Sequence, residues 1–209
     1  MWTKYSISLG FLLLASCSIP ASVSVSASVP FPFSTLGWEF PAEKIIGDRY
    51  LSIAGIVVGT STLEEAVDLY GPSDSYRGGP ENYSPSLVCY TSPNKDLLVV
   101  FQSGPLGGWD IITAVWIGKS GYIDDSRCTK SALVREESMT IGDLSLGLTK
   151  VELRTAFGTP TFSAPPFYAY RYLDEVESGE KKLSVSSGLE FEFEQNSLSW
   201  FRVYKQFSY

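Results

Sequence analysis

Two stretches of the chain repeat one pattern of apolar and polar positions, and each predicts a short helix. They are 59–72 (GTSTLEEAVDLYGP) and 147–160 (GLTKVELRTAFGTP). Each opens with a Thr-x-x-Glu capping box, carries apolar residues at helical spacing, and closes on a glycine that a proline soon follows. The closing glycines, Gly71 and Gly158, lie 87 residues apart, and the capping boxes coincide when the segments are aligned on them. We interpret the pattern as an internal duplication; the alternative is a single pair of similar helices.

Three extended segments follow each predicted helix. They are rich in β-branched and aromatic residues and are bounded by Gly, Pro, Asn and Ser, which is typical of strands. The segments are 86–91, 96–102 and 111–117 after the first helix, and 167–173, 189–194 and 198–205 after the second. A short strand at 53–58 and another at 139–144 would precede the helices.

This order predicts an α+β fold of two tandem repeats, each a short helix packed on a three- to four-stranded antiparallel sheet. The first repeat would span 46–120 and the second 138–209, with a linker at 121–137. The segment at 147–160 resembles the Gly-x-Thr-x-x-x-Val-x-x-x-(Leu/Phe)-Gly-x-Pro signature of the SmpA/OmlA (BamE-type) outer-membrane lipoproteins. The tandem arrangement is similar to the β-lactamase inhibitor protein fold. The resemblance implies that fold and a binding function, and it identifies no partner.

The N-terminus has the features of an export signal. Lys4 precedes an apolar run at 7–14 that is too short to cross a bilayer, and small residues then lead to a cysteine. The sequence LASC at 14–17 resembles the lipobox of bacterial lipoproteins. That resemblance implies that residues 1–16 are removed as a signal peptide and that Cys17 carries the lipid. The alternative is an ordinary helix with a cysteine in the core.

Residues 17–45, rich in Ser, Ala, Val and Pro, would form a tether between the lipid and the folded part. The several acyl chains that the resemblance implies, palmitate among them, would hold Cys17 in the membrane, since one chain alone binds only marginally. Ser18 stands where an Asp would signal inner-membrane retention in lipoproteins of this type. We therefore predict a bacterial cell-envelope protein, lipid-anchored in the outer membrane and facing the periplasm.

Two cysteines remain once Cys17 is assigned to the lipid. Cys89 and Cys128 would both lie in an oxidising compartment after export, where a pair of cysteines is expected to form a disulfide. The alternative is two buried thiols. Neither belongs to a Cys-x-x-Cys motif, which argues against redox catalysis.

The charge balance and the missing histidine exclude several functions. The formal net charge is −7 without a basic run, so the chain is a poor partner for nucleic acid. Since there is no histidine, the usual general base and zinc ligand are missing. The adjacent carboxylates at 124–125 and 174–175 lack the spacing of a calcium loop. We predict no metal, no cofactor and no enzyme activity; carboxylates paired by folding, as in glycosidases, are the arrangement that the sequence leaves open.

Strand alternation predicts which side chains face away from the helices. In 189–194 the apolar residues share the helix face and the three glutamates share the other. That second face would also hold arginines able to pair with the glutamates and aromatic residues typical of binding hot spots. These residues are Arg171, Trp200, Arg202 and Tyr204. We predict a partner-binding surface there; the alternative is a solvated sheet face.

The corresponding face of the first repeat carries Trp116 and several aliphatic residues, and Cys89 would lie there as well. Such a face is too apolar to meet water without a reason, so the rest of the chain or a partner is expected to cover it. For a partner, Trp116 is the fifth predicted binding residue beside the four of the second repeat.

Taken together, these features predict a lipid-anchored binding or scaffold module of the cell envelope that acts through protein–protein contacts. Its expected partners are the membrane, through the N-terminal lipid, and an envelope protein of unknown identity. The alternative, suggested by the tandem resemblance, is an inhibitor of a secreted or periplasmic hydrolase.

Overall fold

The computed structural model describes residues 48–53, 55–74, 76–77, 85–104, 110–119, 125–142, 144–178 and 181–208. The predicted signal peptide, Cys17 and the tether lie outside these residues. Within them the fold is mostly β, with two short α-helices. The helices are α1 (Leu63–Tyr70) and α2 (Lys150–Phe157). The strands are β1 (Ser52–Ile53), β2 (Ile56–Val57), β3 (Tyr76–Arg77), β4 (Ser86–Thr91), β5 (Leu97–Ser103), β6 (Ile112–Lys119), β7 (Thr129–Lys130), β8 (Phe162–Ala164), β9 (Phe167–Ser178), β10 (Lys181–Glu194) and β11 (Ser197–Ser208).

Both helices begin and end as the sequence pattern predicts. The Thr62 side chain accepts a hydrogen bond from the backbone N–H of Glu65, whose carboxylate accepts one from the backbone N–H of Thr62, and α2 has the same capping box. Each helix stops at its glycine, Gly71 or Gly158, with a positive φ of 106° or 78°. A side chain would strain those backbones, which explains why glycine occupies both positions.

Strands β3 to β11 form one continuous sheet in the order β3-β4-β5-β6-β11-β10-β9-β8, and β7 pairs in parallel with β4. Strands β1 and β2 form a separate small hairpin. The two halves of the large sheet meet where β6 pairs antiparallel with β11, from Trp200 opposite Gly118 to Tyr204 opposite Ala114.

The predicted fold class of two helix-on-sheet repeats is therefore wrong. Strands β4 to β6 and β9 to β11 do form antiparallel meanders, but their last strands pair with each other. The physical reason is the row of unpaired N–H and C=O groups that each separate sheet would have left at its edge. Pairing β6 with β11 satisfies both rows at once.

The main hydrophobic core lies between the two helices and the large sheet. Buried residues of both helices, among them Ala66, Tyr70 and Leu153, belong to a single cluster with the apolar residues of the strands beneath them. Since side chains alternate between the faces of a strand, both helices lie on the same face of the sheet. The opposite face, which carries no described helix, is called the helix-free face below. None of the helices described is long and apolar enough to cross a membrane.

A tyrosine of the sheet holds the C-terminal end of each helix. The Tyr90 hydroxyl donates a hydrogen bond to the carbonyl of Gly71 at 2.8 Å, and the Tyr170 hydroxyl donates one to the carbonyl of Gly158 at 2.9 Å. The last residue of each helix, Tyr70 or Phe157, packs its ring against the same tyrosine, with centroids 5.4 and 5.5 Å apart.

Candidate functional site

The helix-free face is organised in rows of side chains that run across the strands. Residues opposite each other in neighbouring strands point to the same face, so the register identifies each row. One row crosses six strands, from the first meander to the second: Cys89, Val100, Trp116, Arg202, Glu190 and Ala169. Its first three residues are apolar, and its second half contains the charged residues Arg202 and Glu190. The row therefore joins the two kinds of outer face that the sequence analysis assigned to separate repeats.

The apolar half contains the predicted disulfide. Cys89 and Cys128 are bonded to each other, which confirms that pairing. A second buried cluster surrounds the bond on the helix-free face, formed by Leu87, Cys89, Leu98, Val100, Ala114, Trp116 and Tyr204. The disulfide thus fixes the segment that carries Cys128 and β7 against β4.

The charged half is a buried carboxylate held between two arginines. Glu190 is only 2% exposed, and each of its oxygens accepts a hydrogen bond from a different guanidinium. The Arg171 nitrogen lies 2.8 Å from one oxygen and the Arg202 nitrogen 3.1 Å from the other. These are the cross-strand pairs that the alternation predicted. Burial removes water from all three charges, so the pairs are needed to stabilise the ionised groups.

Aromatic rings enclose the Arg202 guanidinium. Its central carbon lies 4.8 Å from the ring centroid of Tyr204 and 5.6 Å from that of Trp116. The negative faces of aromatic rings attract a cation in this geometry. Burial, and secondly the charge of Glu190, raises the pKa of the Tyr204 hydroxyl, against the opposing effects of the two arginines. Tyr204 is therefore neutral at physiological pH.

Gly188 is what lets Tyr204 reach this position. Gly188 lies opposite both Tyr204 and Arg171 in the sheet. A Cβ at residue 188 would come within 2.6 Å of the Tyr204 ring, closer than any van der Waals contact. Glycine in the middle of a strand is thus explained by the close approach of a side chain from the next strand.

The five residues predicted to form a partner-binding surface have two different placements. Trp116, Arg171, Arg202 and Tyr204 come together around Glu190 and are buried. Trp200 is half-buried and packs against the main core cluster. The alternation correctly placed these four side chains away from the helices. It predicted that the face carrying Trp116 would be covered, but it did not predict the burial of Arg171, Arg202 and Tyr204. As a binding surface they stay a prediction; in this structure a partner would reach them only if the chain covering them moved.

A long projection of three strands, which we call the arm, offers more exposed surface. Strand β8 covers β9 only as far as Ala169, and β6 covers β11 only as far as Tyr204. Beyond those points β9, β10 and β11 continue as a three-stranded sheet formed by 172–178, 181–187 and 205–208. Strands of 12, 14 and 12 residues are about twice the usual length.

Two large apolar side chains are exposed on the arm. Leu173 is 43% exposed and Val176 is 38% exposed. Because residues 173 and 176 differ in parity, they lie on opposite faces of β9. The arm was not predicted from the sequence, because one predicted strand ended at 173 and the next began at 189. The alternation of Leu183 and Val185 with serines was a signal that would have revealed it.

The outer edge of β9 is the second feature of the arm. The Thr161 hydroxyl donates a hydrogen bond to the carbonyl of Ala169 at 3.0 Å and accepts one from the backbone N–H of Arg171 at 3.1 Å. Thr161 therefore makes the last hydrogen bonds described on the outer edge of β9, at Ala169 and Arg171. Farther along, no strand among those described pairs with this edge.

A cleft of about 690 Å³ lies elsewhere, between the β4–β5 turn, residues 132–137 and residues 146–147 ahead of α2. Its ionisable groups are Asp96, Lys119, Arg135, Glu136 and Glu137, and all are exposed. The hydroxyl of Ser92 donates a hydrogen bond to Asp96, which lowers the pKa of that carboxyl. Exposed charges of both signs do not form the convergent polar groups of a small-molecule site. Among the described residues no group of three or more His, Cys, Asp or Glu is placed to hold a metal ion.

No protein-family model matches the chain, and no curated protein or solved structure is significantly similar to it. The resemblance to the SmpA/OmlA lipoproteins and to the β-lactamase inhibitor protein therefore stays a prediction from the motif.

Proposed function

We propose that this chain is a lipid-anchored binding or scaffold module of the bacterial cell envelope, acting through protein–protein contacts without catalysis. The arm is the observation that carries this proposal. It extends beyond the strands that pair with β9 and β11, and it exposes Leu173, Val176 and a strand edge, while Val185 and Ser187 at its base are buried. Cys17 would hold the protein in the outer membrane, and residues 17–45 would let it reach a partner in the periplasm.

The apolar side chains of the arm are suited to a protein contact. Full burial of a Leu or Val side chain contributes about 1.5–3 kcal/mol, so covering Leu173 or Val176 would favour association. Since they lie on opposite faces, a partner could use either face of the arm or embrace both. The strands beneath are continuous with the sheet around Glu190, which gives the arm a fixed base.

Site-specific photocrosslinking tests this proposal in the native envelope. A photoreactive amino acid would replace Leu173 in the full-length lipidated protein, and Leu133 in a control variant. Leu133 is 39% exposed but lies outside the arm, so the two positions are matched in type and exposure. We expect an adduct with an envelope protein at position 173 and none at position 133. The absence of any protein adduct at position 173 would contradict the proposal.

The alternative of a hydrolase inhibitor would use the same projecting arm. Titration of secreted β-lactamases and proteases with the purified full-length protein tests it. Inhibition that disappears when Leu173 is replaced by serine would favour this alternative over a scaffold function.

A further inference from the structure

We propose that the outer edge of β9 in the arm binds an extended, basic segment of a partner protein, which adds to the sheet as a further strand. This inference depends on the proposed function, since it takes the arm as the contact surface. It adds the mode of binding and the chemistry of the partner.

The backbone of β9 presents the groups that an added strand needs. The Arg171 N–H points to the outer edge, because it donates to Thr161. N–H and C=O groups point alternately to the two sides of a strand, so those of Leu173, Glu175 and Glu177 face the same edge. Among the described strands none pairs with them. The N–H of Glu175 donates a hydrogen bond to the Asp174 carboxylate at 2.8 Å, and an added strand would have to displace that contact. A partner strand would therefore find the next hydrogen-bonding positions beyond the point where Thr161 ends the coverage.

The side chains of this edge select the partner by charge. Asp174, Glu175 and Glu177 place three carboxylates within four residues of β9. Lys182 approaches Glu175 at 3.5 Å, but both side chains are largely exposed, so this pair neutralises the edge only weakly. A second copy of the chain would bring the same carboxylates face to face, which is unfavourable. Lys or Arg residues on the added strand would instead meet opposite charges.

The competing explanation is that the acidic residues only protect the edge from aggregation, as charges on edge strands commonly do. Leu173 and Val176 argue against that explanation, because a purely protective edge gains nothing from exposed apolar residues. In strand addition, main-chain hydrogen bonds supply affinity and alternate side chains supply specificity. Leu173 would then contact apolar residues of the partner on one face of the arm and Val176 on the other.

A binding experiment with model peptides tests the chemistry. The probe is a short fluorescent peptide of alternating Lys and Val, and the control peptide alternates Glu and Val. Both are titrated into the full-length protein in a neutral detergent, followed by fluorescence anisotropy and amide hydrogen exchange. We expect the Lys/Val peptide to bind and the Glu/Val peptide not to bind. Binding should slow the exchange of the backbone amides of Leu173, Glu175 and Glu177. Equal binding of the two peptides, or protection elsewhere only, would overturn the proposal.

A proline variant tests the backbone contact. In Glu175→Pro the lost N–H faces outward, so the hydrogen bonds between β9 and β10 remain. Glu175→Thr is the matched control, because it removes the same carboxylate and keeps the N–H. We expect Glu175→Pro to bind the Lys/Val peptide about tenfold more weakly than Glu175→Thr, since proline removes a donor and obstructs the edge. Equal affinities of the two variants would refute strand addition.

Two further measurements keep the outcomes distinct. Circular dichroism verifies that both variants are folded, and Glu177→Pro, whose lost N–H also faces outward, is the second test of the edge. If the photocrosslinked adduct at position 173 persists in Glu175→Pro, the arm binds a partner, but not by strand addition. That outcome would refute this inference and leave the proposed function intact. Dimers in sedimentation analysis that Glu175→Pro abolishes would show a second copy as the occupant and would overturn the basic partner.

Discussion

Glu190 shows how much the role of one residue depends on its surroundings. In the sequence it is one of three glutamates that alternate with apolar residues, which indicates a solvated face. In the structure Glu194 is exposed, Glu192 is half-buried, and Glu190 is enclosed by Arg171 and Arg202. Periodicity predicted the face and the cross-strand pairs. It could not predict burial, because burial depends on chain segments far away in sequence.

Replacing Glu190 by glutamine is expected to destabilise the fold. Two guanidinium groups would stay buried without the carboxylate that balances them, and breaking a buried pair in this way costs about 3–5 kcal/mol. Urea unfolding followed by tryptophan fluorescence measures the change in the free energy of unfolding. Glu194→Gln is the exposed control and should change it by less than about 0.5 kcal/mol. Equal effects of the two substitutions would show that the arginines have enough water or other partners without Glu190.

The helices and strands were predicted more accurately than their assembly. The predicted strand at 86–91 coincides with β4, and the capping boxes fixed the start of both helices. Such local features depend on caps, glycines and side-chain periodicity, which a sequence displays directly. The pairing of β6 with β11 joins two strands that are far apart in sequence, and no pattern within either strand predicts it. The arm was missed for a different reason, since its polar face is rich in serine and resembles a loop.

The tyrosines at the helix ends give a prediction about pH. Tyr90→Phe and Tyr170→Phe each remove a hydrogen bond to a helix C-terminus, and each should cost about 0.5–1.5 kcal/mol at neutral pH. Burial raises the pKa of both hydroxyls to about 12, from about 10 in an unfolded chain.

The unfolded chain therefore loses these protons first as the pH rises from 10 towards 12, and the folded state loses stability over that interval. The Tyr90→Phe/Tyr170→Phe double variant should lose less stability than the natural protein between these two pH values. Thermal unfolding at a series of alkaline pH values measures the difference. Parallel curves for both proteins would show that other groups cause the alkaline loss.

At the scale of the molecule, most of the described strands belong to one continuous sheet, and a disulfide cross-links it at one side. The helix face of both meanders forms one core cluster, and the disulfide joins Cys89 in β4 to a residue 39 positions later. The pairing of the two cysteines could be predicted, because only two remained once Cys17 was assigned to a predicted lipid. The contact that the disulfide fixes could not be predicted, because it depends on where the segment after β6 returns to the sheet.

Reduction of this disulfide should lower the free energy of unfolding by about 2–4 kcal/mol, because the cross-link restricts the unfolded chain. Urea unfolding with and without dithiothreitol measures the loss. The Cys89→Ser/Cys128→Ser double variant should match the reduced protein and should not respond to dithiothreitol. A response of that variant would place the redox-sensitive group elsewhere in the chain.

The pairing of β6 with β11 also decides what a broken chain would do. A trypsin cut after the exposed Arg135 would leave no covalent link between the two meanders, because both cysteines of the disulfide lie on the N-terminal side of the cut. Each fragment would still hold the complementary half of the shared ladder and of the shared core. The two pieces would therefore stay associated after proteolysis, and two genes encoding them separately would complement each other in the manner of a split reporter.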